Sequence, residues 1–351
     1  MFKREFWNRF AKRYFLDALS AMALGLFSSL IIGLILEQIG RIPLPYFDKL
    51  AEFAAIAQNK YVVGAAIGVA VAWSLKAPPL VLFSNAAVGA ISYAMGQPLG
   101  CFVCSVVACE VGRLVAGKTK VDIIVVPSVT IVVGGIAALI VSPAVVWLIN
   151  ALRSFIDSSM LLAPIPMGII VSVVVGLVLT APISSAALCA MVFALAEGET
   201  ALPAGLALAA GAATAGCCAQ MVGFAVASFR DNGVPGLIAQ GLGTSMLQVP
   251  NILKRPQILI PPTLAAAITG PLAATVFQMK NQGASAGMGT SGVVGQIGTF
   301  TAMEGSDLAW IIIVKILALH IVLPAAISFA AYEGLRRIGW IRVGDQSINV
   351  K

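Results

Sequence analysis

Two stretches of this chain share the pattern Gly-x-Gly-Thr-Ser, first as Gly241-Leu242-Gly243-Thr244-Ser245 and again as Gly287-Met288-Gly289-Thr290-Ser291. Both are polar and rich in glycine, yet each lies between long apolar segments. Inside a bilayer every backbone N–H and C=O needs a partner, so non-helical chain is tolerated there only when it is buried in protein or lines a water-filled cavity. Paired glycine-interrupted segments of this kind indicate the solute site of a transporter.

The composition places the chain in a membrane. Hydrophobic residues make up 59% of the 351 residues and charged residues 11%, whereas an ordinary soluble domain has about 25% charged residues. A membrane span needs about 20 apolar residues. We therefore predict an all-α polytopic membrane protein with about ten transmembrane helices, over residues 17–38, 61–75, 80–96, 98–116, 123–149, 163–180, 183–197, 202–228, 257–279 and 308–332.

Two re-entrant hairpins are predicted outside those helices, at about 231–255 and 281–305. Each is too rich in glycine to span the membrane and too apolar for an ordinary loop. They would enter from opposite sides and meet near the middle of the bilayer. The other interpretation is that glycines such as Gly283 and Gly287 allow two ordinary helices to pack closely.

The rest of the chain is assigned from the same pattern. Residues 17–332 are predicted to form a single transmembrane domain, and residues 333–351 a cytoplasmic tail. Residues 1–16 alternate basic and aromatic side chains, which suits a short helix on the membrane surface; the alternative is a disordered basic leader that only sets topology. Two alignments, of Gly64–Pro78 with Gly168–Pro182 and of Ile123–Pro127 with Ile258–Pro262, indicate a possible internal parallel repeat, although apolar helices also align by chance.

Charge predicts the orientation of the chain. Most of the 22 basic residues fall on one side when both termini are placed in the cytoplasm, as the positive-inside rule requires. The net charge of +7 is therefore explained by basic residues at the ends of spans, where they face membrane lipids. No nucleic-acid partner is expected. The six cysteines lie in apolar segments, where a thiol behaves as a small hydrophobe. Cys101-Phe-Val-Cys104 has no accompanying ligand set, so neither a metal nor a cofactor is predicted.

The hairpin tips would present backbone N–H groups, hydroxyls and amides, which suit a neutral sugar or polyol. Gly243 and Gly289 are expected to adopt positive φ, because a tight turn requires it. The candidate substrate-binding residues are Asn85, Gln240, Gly243, Thr244, Ser245, Gly289, Thr290, Ser291, Gln296, Thr299 and Glu304. No catalytic residue is predicted.

Ionisable residues inside spans are costly, so each one needs an explanation. Glu304 and Asp307 would either accept hydrogen bonds from solute hydroxyls or pair with Lys315. His320 is interpreted as a packing histidine. Glu110 is explained by an ion pair with Arg113, three residues further along the helix.

These features resemble a known family. Gly-Met-Gly-Thr-Ser-Gly-Val-Val-Gly-Gln-Ile-Gly-Thr-Phe at 287–300 and Asn-Ala-Ala-Val-Gly-Ala at 85–90 are similar to the EIIC membrane component of the sugar phosphotransferase system. The closest similarity is to the stand-alone EIIC-like branch that includes perfringolysin-regulator-like proteins. The resemblance implies a homodimer in the bacterial inner membrane, in which a scaffold holds a mobile portion that carries both hairpins and moves the solute by an elevator motion.

Two departures from the family limit what the resemblance implies. The chain has no fused EIIB domain with a phosphorylatable cysteine and no EIIA histidine, so phosphotransfer would need separate EIIA and EIIB proteins. Phe300-Thr-Ala-Met-Glu304 is only a relaxed counterpart of the Gly-Ile-Thr-Glu sequence of glucose-type EIIC.

Two functions follow. The first is an inner-membrane transporter of a small polar solute, a sugar or polyol, without enzymatic activity of its own. The alternative is a membrane solute sensor that acts through a partner. A membrane enzyme is disfavoured, because no nucleophile, base and metal ligands cluster in the sequence.

Overall fold

The computed structural model describes residues 10, 12–40, 46–181, 184–195 and 199–348. Within these ranges the chain is helical and forms no β-strand beyond one isolated bridge between Glu304 and Asp307. The α-helices of these ranges are α1 (Leu19–Leu26), α2 (Ile32–Gly40), α3 (Asp48–Ala57), α4 (Lys60–Ser74), α5 (Pro79–Val115), α6 (Asp122–Leu162), α7 (Pro164–Thr180), α8 (Ser185–Val192), α9 (Ala204–Ala227), α10 (Phe229–Ile238), α11 (Val249–Lys254), α12 (Ile260–Thr275), α13 (Val294–Met303), α14 (Ala309–Ile316) and α15 (Leu323–Arg337).

Shorter helical turns of two kinds join or extend these helices. Widened π-helical turns cover Lys12–Ala18, Phe27–Ile31, Ala239–Gly243 and Leu317–Val322. Tighter 3₁₀ turns cover Ser245–Gln248, Pro256–Leu259, Gly283–Gly287 and Ser291–Val293.

Among the described residues, six helical segments are long and apolar enough to cross a membrane. They are Lys12–Glu37, Pro79–Val115, Asp122–Leu162, Ala204–Ala227, Pro256–Thr275 and Ala309–Arg337. Helices α3 and α4, bent by 59°, would make a seventh if they act as one span. The prediction of an all-α membrane protein is confirmed, whereas the count of about ten spans and the internal repeat stay predictions.

Helix α5 is two helices that fold back on each other. Gln97, with φ 54° and ψ −163°, breaks the helix directly before Pro98. The side-chain amide of Asn85 donates to the carbonyl of Ser105 at 3.1 Å, and the Cys101 thiol lies 3.4 Å from the carbonyl oxygen of Gly89. These contacts pair residues before the break with residues after it in antiparallel order. The predicted spans 80–96 and 98–116 are the two limbs.

The chain divides into two compact units, Met1–Leu152 and Arg153–Lys351. In the first unit, Glu110 accepts from Arg13 at 2.6 Å and from the Tyr14 hydroxyl at 3.0 Å. Arg113 lies 3.6 Å away, which confirms the ion pair predicted from the sequence. Most of the predicted surface segment 1–16, namely residues 1–9 and 11, lies outside the described residues.

The second unit is built around α9. Nearly every residue of this helix is buried, and most of them are alanine, glycine or cysteine. A side chain on Gly216 would lie 2.0 Å from the carbonyl oxygen of Ser172 on α7. Small residues therefore let the backbones of α7 and α9 touch, as in other membrane helix pairs. Helices α12 and α15 also pack on α9.

Candidate functional site

The first Gly-Thr-Ser stretch forms the turn of a segment that folds back on itself, residues 229–254, here called the first fold-back. Helix α10 enters, the π-helical turn Ala239–Gly243 widens it, and Thr244 ends it in an extended conformation (φ −161°, ψ 141°). The returning limb is tied to the entering limb by Gln248, whose amide nitrogen donates to the amide oxygen of Gln240 at 2.9 Å.

The second stretch lies in residues 281–303, here called the second fold-back. The side-chain nitrogen of Asn281 donates to the Gly295 carbonyl at 3.1 Å and lies 3.2 Å from the Thr299 hydroxyl. The Gly295 amide donates to the Gly289 carbonyl at 3.1 Å. The two limbs are therefore antiparallel, with a tip at residues 290–293. Asn281 was not among the predicted site residues, although a lone amide beside an apolar segment was a signal for it.

The two turns differ in backbone conformation. Gly289 has φ +54°, and a Cβ on it would lie 2.8 Å from the carbonyl carbon of Cys217, so the expectation of positive φ there is confirmed. The same expectation for Gly243 is wrong. Gly243 ends a π-helical turn in open space, because the first fold-back turns through a widened helix and extended Thr244. Gly292 and Val293 also have positive φ, at +53° and +63°.

The two tips meet. The Thr290 hydroxyl donates to the carbonyl of Gly241 and lies 3.6 Å from the sulfur of Met221. This bond joins the two Gly-Thr-Ser stretches directly. They do not lie on separate surfaces.

The bases of the fold-backs lie at opposite ends of the last helical segment, Ala309–Arg337. Beside the second fold-back, Lys280 donates to the Ser306 hydroxyl at 3.2 Å, just before this segment begins. Beside the first, Arg230 pairs with Glu333 at 2.6 Å, near its end. The segment has 29 residues, about 40 Å at the helical rise of about 1.5 Å per residue. The fold-backs thus approach from opposite ends of a membrane-length helix.

Buried hydroxyls and amides surround the tips. The hydroxyls of Ser245 and Thr180 lie 2.8 Å apart, and Thr180 donates to the amide oxygen of Gln220 at 3.3 Å. The Gln220 amide nitrogen donates in turn to Thr263 at 3.1 Å. Of these four residues only Ser245 was predicted. The other three lie on α7, α9 and α12, and single polar residues in apolar helices usually have a local structural role.

A second polar group lies between α9, α13 and the last helical segment. The amide nitrogen of Gln296 lies 3.3 Å from the Cys218 sulfur and 3.3 Å from His320 Nδ1. Gln296 Oε1 and His320 Nε2 are buried and have no hydrogen-bond partner among the described residues. Unpartnered buried polar atoms cost free energy, and His320 stands on a π-helical turn, a feature frequent at functional sites. Both atoms therefore have unused hydrogen-bonding capacity.

Comparison with known proteins supplies the identity. The model of the family described as Phosphotransferase system, EIIC, matches residues 16–348. The chain belongs to the EIIC family. No curated protein and no solved structure matches it. The resemblance drawn from the sequence is confirmed, and with it a multi-pass membrane protein. EIIC proteins are membrane transport components of the sugar phosphotransferase system and do not catalyse phosphotransfer by themselves.

Several predicted site residues of this EIIC chain serve the fold-backs themselves. Gln240 is buried between Ser228 and Gln248, and Thr299 is buried beside Asn281. Thr244 accepts from the Met246 amide, and the Ser291 amide donates to the Met288 carbonyl.

Two predicted residues form no part of the two tips. Asn85 belongs to the first unit, where its amide joins the two limbs of α5. Glu304 is exposed at the end of α13, ten residues long, so it stands about 15 Å along the helix from the second tip. Of the two carboxylates considered for Lys315, Asp307 pairs with it, at 2.7 Å.

Proposed function

We propose that this EIIC protein carries a small neutral polar solute, a sugar or a polyol, across the bacterial inner membrane with both termini in the cytoplasm. The observation that supports the proposal most strongly is the contact between the two fold-back tips, Thr290 to Gly241. The two polar segments approach from opposite ends and touch near the middle. A solute bound at their tips could therefore be released toward either side of the membrane.

The chemistry of the tips favours an uncharged solute. The polar side chains around the tips carry hydroxyls and amides, with one imidazole. They are Thr180, Gln220, Ser245, Gln296 and His320. Hydroxyls and amides both donate and accept, as the hydroxyls of a sugar do. A buried charged solute would instead need an opposite charge beside it.

The elevator motion is the second part of the proposal. Both fold-backs lie in the second unit, Arg153–Lys351, and on this ground we assign that unit as the moving body. The first unit is then the scaffold of a homodimer. Phosphorylation of the solute would require separate EIIA and EIIB proteins.

The test is uptake by the purified full chain in proteoliposomes, with a panel of labelled hexoses and hexitols as probes. Replacing Thr290 by valine keeps its shape and removes the hydroxyl bond to Gly241. We expect uptake to fall about tenfold, the factor that corresponds to one lost hydrogen bond. Thr269→Val is the matched control. The buried Thr269 hydroxyl donates to the Ala265 carbonyl of its own helix at 2.9 Å and to no other group among the described residues.

Each outcome has a meaning. Uptake that depends on Thr290 and not on Thr269 supports a transport site at the tips. Equal uptake by both variants removes the tips from the site. If a probe raises the melting temperature of the chain but does not enter the vesicles, the protein binds the solute without transporting it, and the sensor function is favoured. If no probe binds or enters, a sugar or polyol is the wrong class of solute.

A further inference from the structure

The last described residues are bound to the first fold-back. Residues 342–348, here called the strap, follow Ile341, which is buried in a cluster with Phe224, Ile258 and Tyr332. From there the strap crosses the base of the first fold-back. Nothing in the sequence signalled this contact, because the partners are about a hundred residues apart.

Four side chains of the first fold-back hold the backbone of the strap. Asp231 accepts from the amides of Gly344 and Gln346, at 2.8 and 3.0 Å. Asn232 donates to the Gln346 carbonyl and accepts from the Ile348 amide, both at 2.8 Å.

The other two side chains lie on the returning limb. Gln248 donates to the Gln346 carbonyl and Asn251 to the Ser347 carbonyl, each at 2.9 Å. The strap is thus bound to the entering limb and to the returning limb of the same fold-back. It bridges the two limbs at their open end.

The strap is connected to the tip through buried amides. The Gln248 nitrogen that donates to Gln346 lies 2.9 Å from Gln240 Oε1 as well. Gln240 directly precedes Gly241, whose carbonyl accepts from Thr290. Gln240 and Gln248 are both fully buried, so movement of the strap leaves an amide near the tip without its partner, at a cost in free energy.

Part of the strap is exposed to solvent and can dissociate from the first fold-back. Arg342, Val343 and Gly344 are exposed, and the bonds to Gly344 and Ser347 lie at the surface, where water can replace them. Gln346 is fully buried and anchors the strap. Segments with few apolar contacts open at a lower free energy than the core does, and they open in contiguous cooperative units.

From these contacts we propose that the strap is a conformational latch. Docked, it closes the open end of the first fold-back and holds the tip against the second fold-back. Released, it lets the first fold-back move. The proposal goes beyond solute transport and holds whatever the solute is.

Hydrogen exchange measured by mass spectrometry on the full chain in nanodiscs tests the latch from both sides of the contact. Asn232→Ala removes two bonds on the fold-back side. Gly344→Val acts on the strap side, because Gly344 has φ +96° and valine resists that conformation although nothing stands within 4 Å. Gly117→Val is the matched control in the first unit, with φ +79° and equally open space.

We expect both strap variants to speed exchange about fivefold or more in residues 342–348 and also in 239–248, with the control unchanged. Faster exchange in 342–348 alone would overturn the latch, since the strap would then move without affecting the first fold-back. Unchanged exchange in both segments would overturn it as well. Should Gly344→Val fail to fold, Asn251→Ala is the substitute. It removes the bond to the Ser347 carbonyl and the bond to Gln248 Oε1, and it is expected to speed exchange in the same two segments by a smaller factor.

Discussion

The two Gly-x-Gly-Thr-Ser stretches have the same pattern and different structures. In the first, Gly241 and Gly243 belong to a π-helical turn. A Cβ on Gly243 would have nothing within 4 Å, and one on Gly241 would make an ordinary contact with Ala225 at 3.5 Å. In the second, Gly287 and Gly289 lie against the backbones of Ser185 and Cys217, so that a Cβ on either would approach closer than 3 Å.

The threonines and serines differ in the same way. Thr244 caps its own turn, whereas Thr290 reaches across to the other stretch. Ser245 is fully buried against Thr180, whereas Ser291 is only half-buried. A short motif therefore does not determine its backbone. The space that the neighbouring helix leaves decides whether the chain turns through a widened helix or through left-handed residues.

The largest expected effect is a difference between Gly289 and Gly243, which occupy the same position in the two stretches. Gly289→Val places a β-branched side chain at φ +54° and against the Cys217 backbone. We expect the free energy of unfolding to fall by about 3 kcal/mol or more. Gly243→Val meets neither obstacle and is expected to change it by less than about 1 kcal/mol. Denaturant unfolding in one detergent gives both values; equal losses would contradict the comparison.

A smaller effect is expected at the serines. Ser245→Ala removes the buried hydroxyl bond to Thr180 and should lower the free energy of unfolding by about 1 to 1.5 kcal/mol. Ser291→Ala is the paired variant in the other stretch and should stay within about 0.5 kcal/mol of the wild type. The same unfolding measurement applies. If Ser291→Ala lowered the free energy of unfolding more than Ser245→Ala does, Ser291 and not Ser245 would be the structurally important serine.

The smallest expected effect is a gain. Val293 is a β-branched residue at φ +63° and 46% of it is exposed, so its side chain contributes little packing while its backbone is strained. Val293→Gly should raise the free energy of unfolding by about 0.5 to 1 kcal/mol, since relief of strain exceeds the added chain entropy of glycine. A lower melting temperature for the variant would show that Val293 packs more than its exposure indicates.

Local patterns predicted much of this protein. Apolar length and charge located the helices, and the two glycine-rich stretches indicated the two fold-backs, because both signals lie within about 20 neighbouring residues. The boundary between the predicted spans 80–96 and 98–116 similarly falls at the observed break in α5. The family resemblance needed only short motifs and is confirmed across residues 16–348.

What escaped prediction depends on residues far apart in sequence. Gln296 meets His320 through packing of separate helices, and Asn232 holds the end of the chain more than a hundred residues away. The error at Gly243 has a related cause. A glycine permits positive φ without requiring it, and only the packing of Gly289 against α9 creates the requirement.

Helix α9 sets an upper limit on volume at the centre of the second unit. Side chains on Gly211 and Gly216 would each come within 2.0 Å of a carbonyl oxygen on a neighbouring segment. Its alanines and glycines differ from each other by a single methyl group. A sequence with the same small residues in a different order would therefore have the same composition and nearly the same hydropathy. It would nevertheless place methyl groups where only hydrogen atoms fit. The plainest stretch of the chain is thus the one where the order of its residues is most tightly constrained.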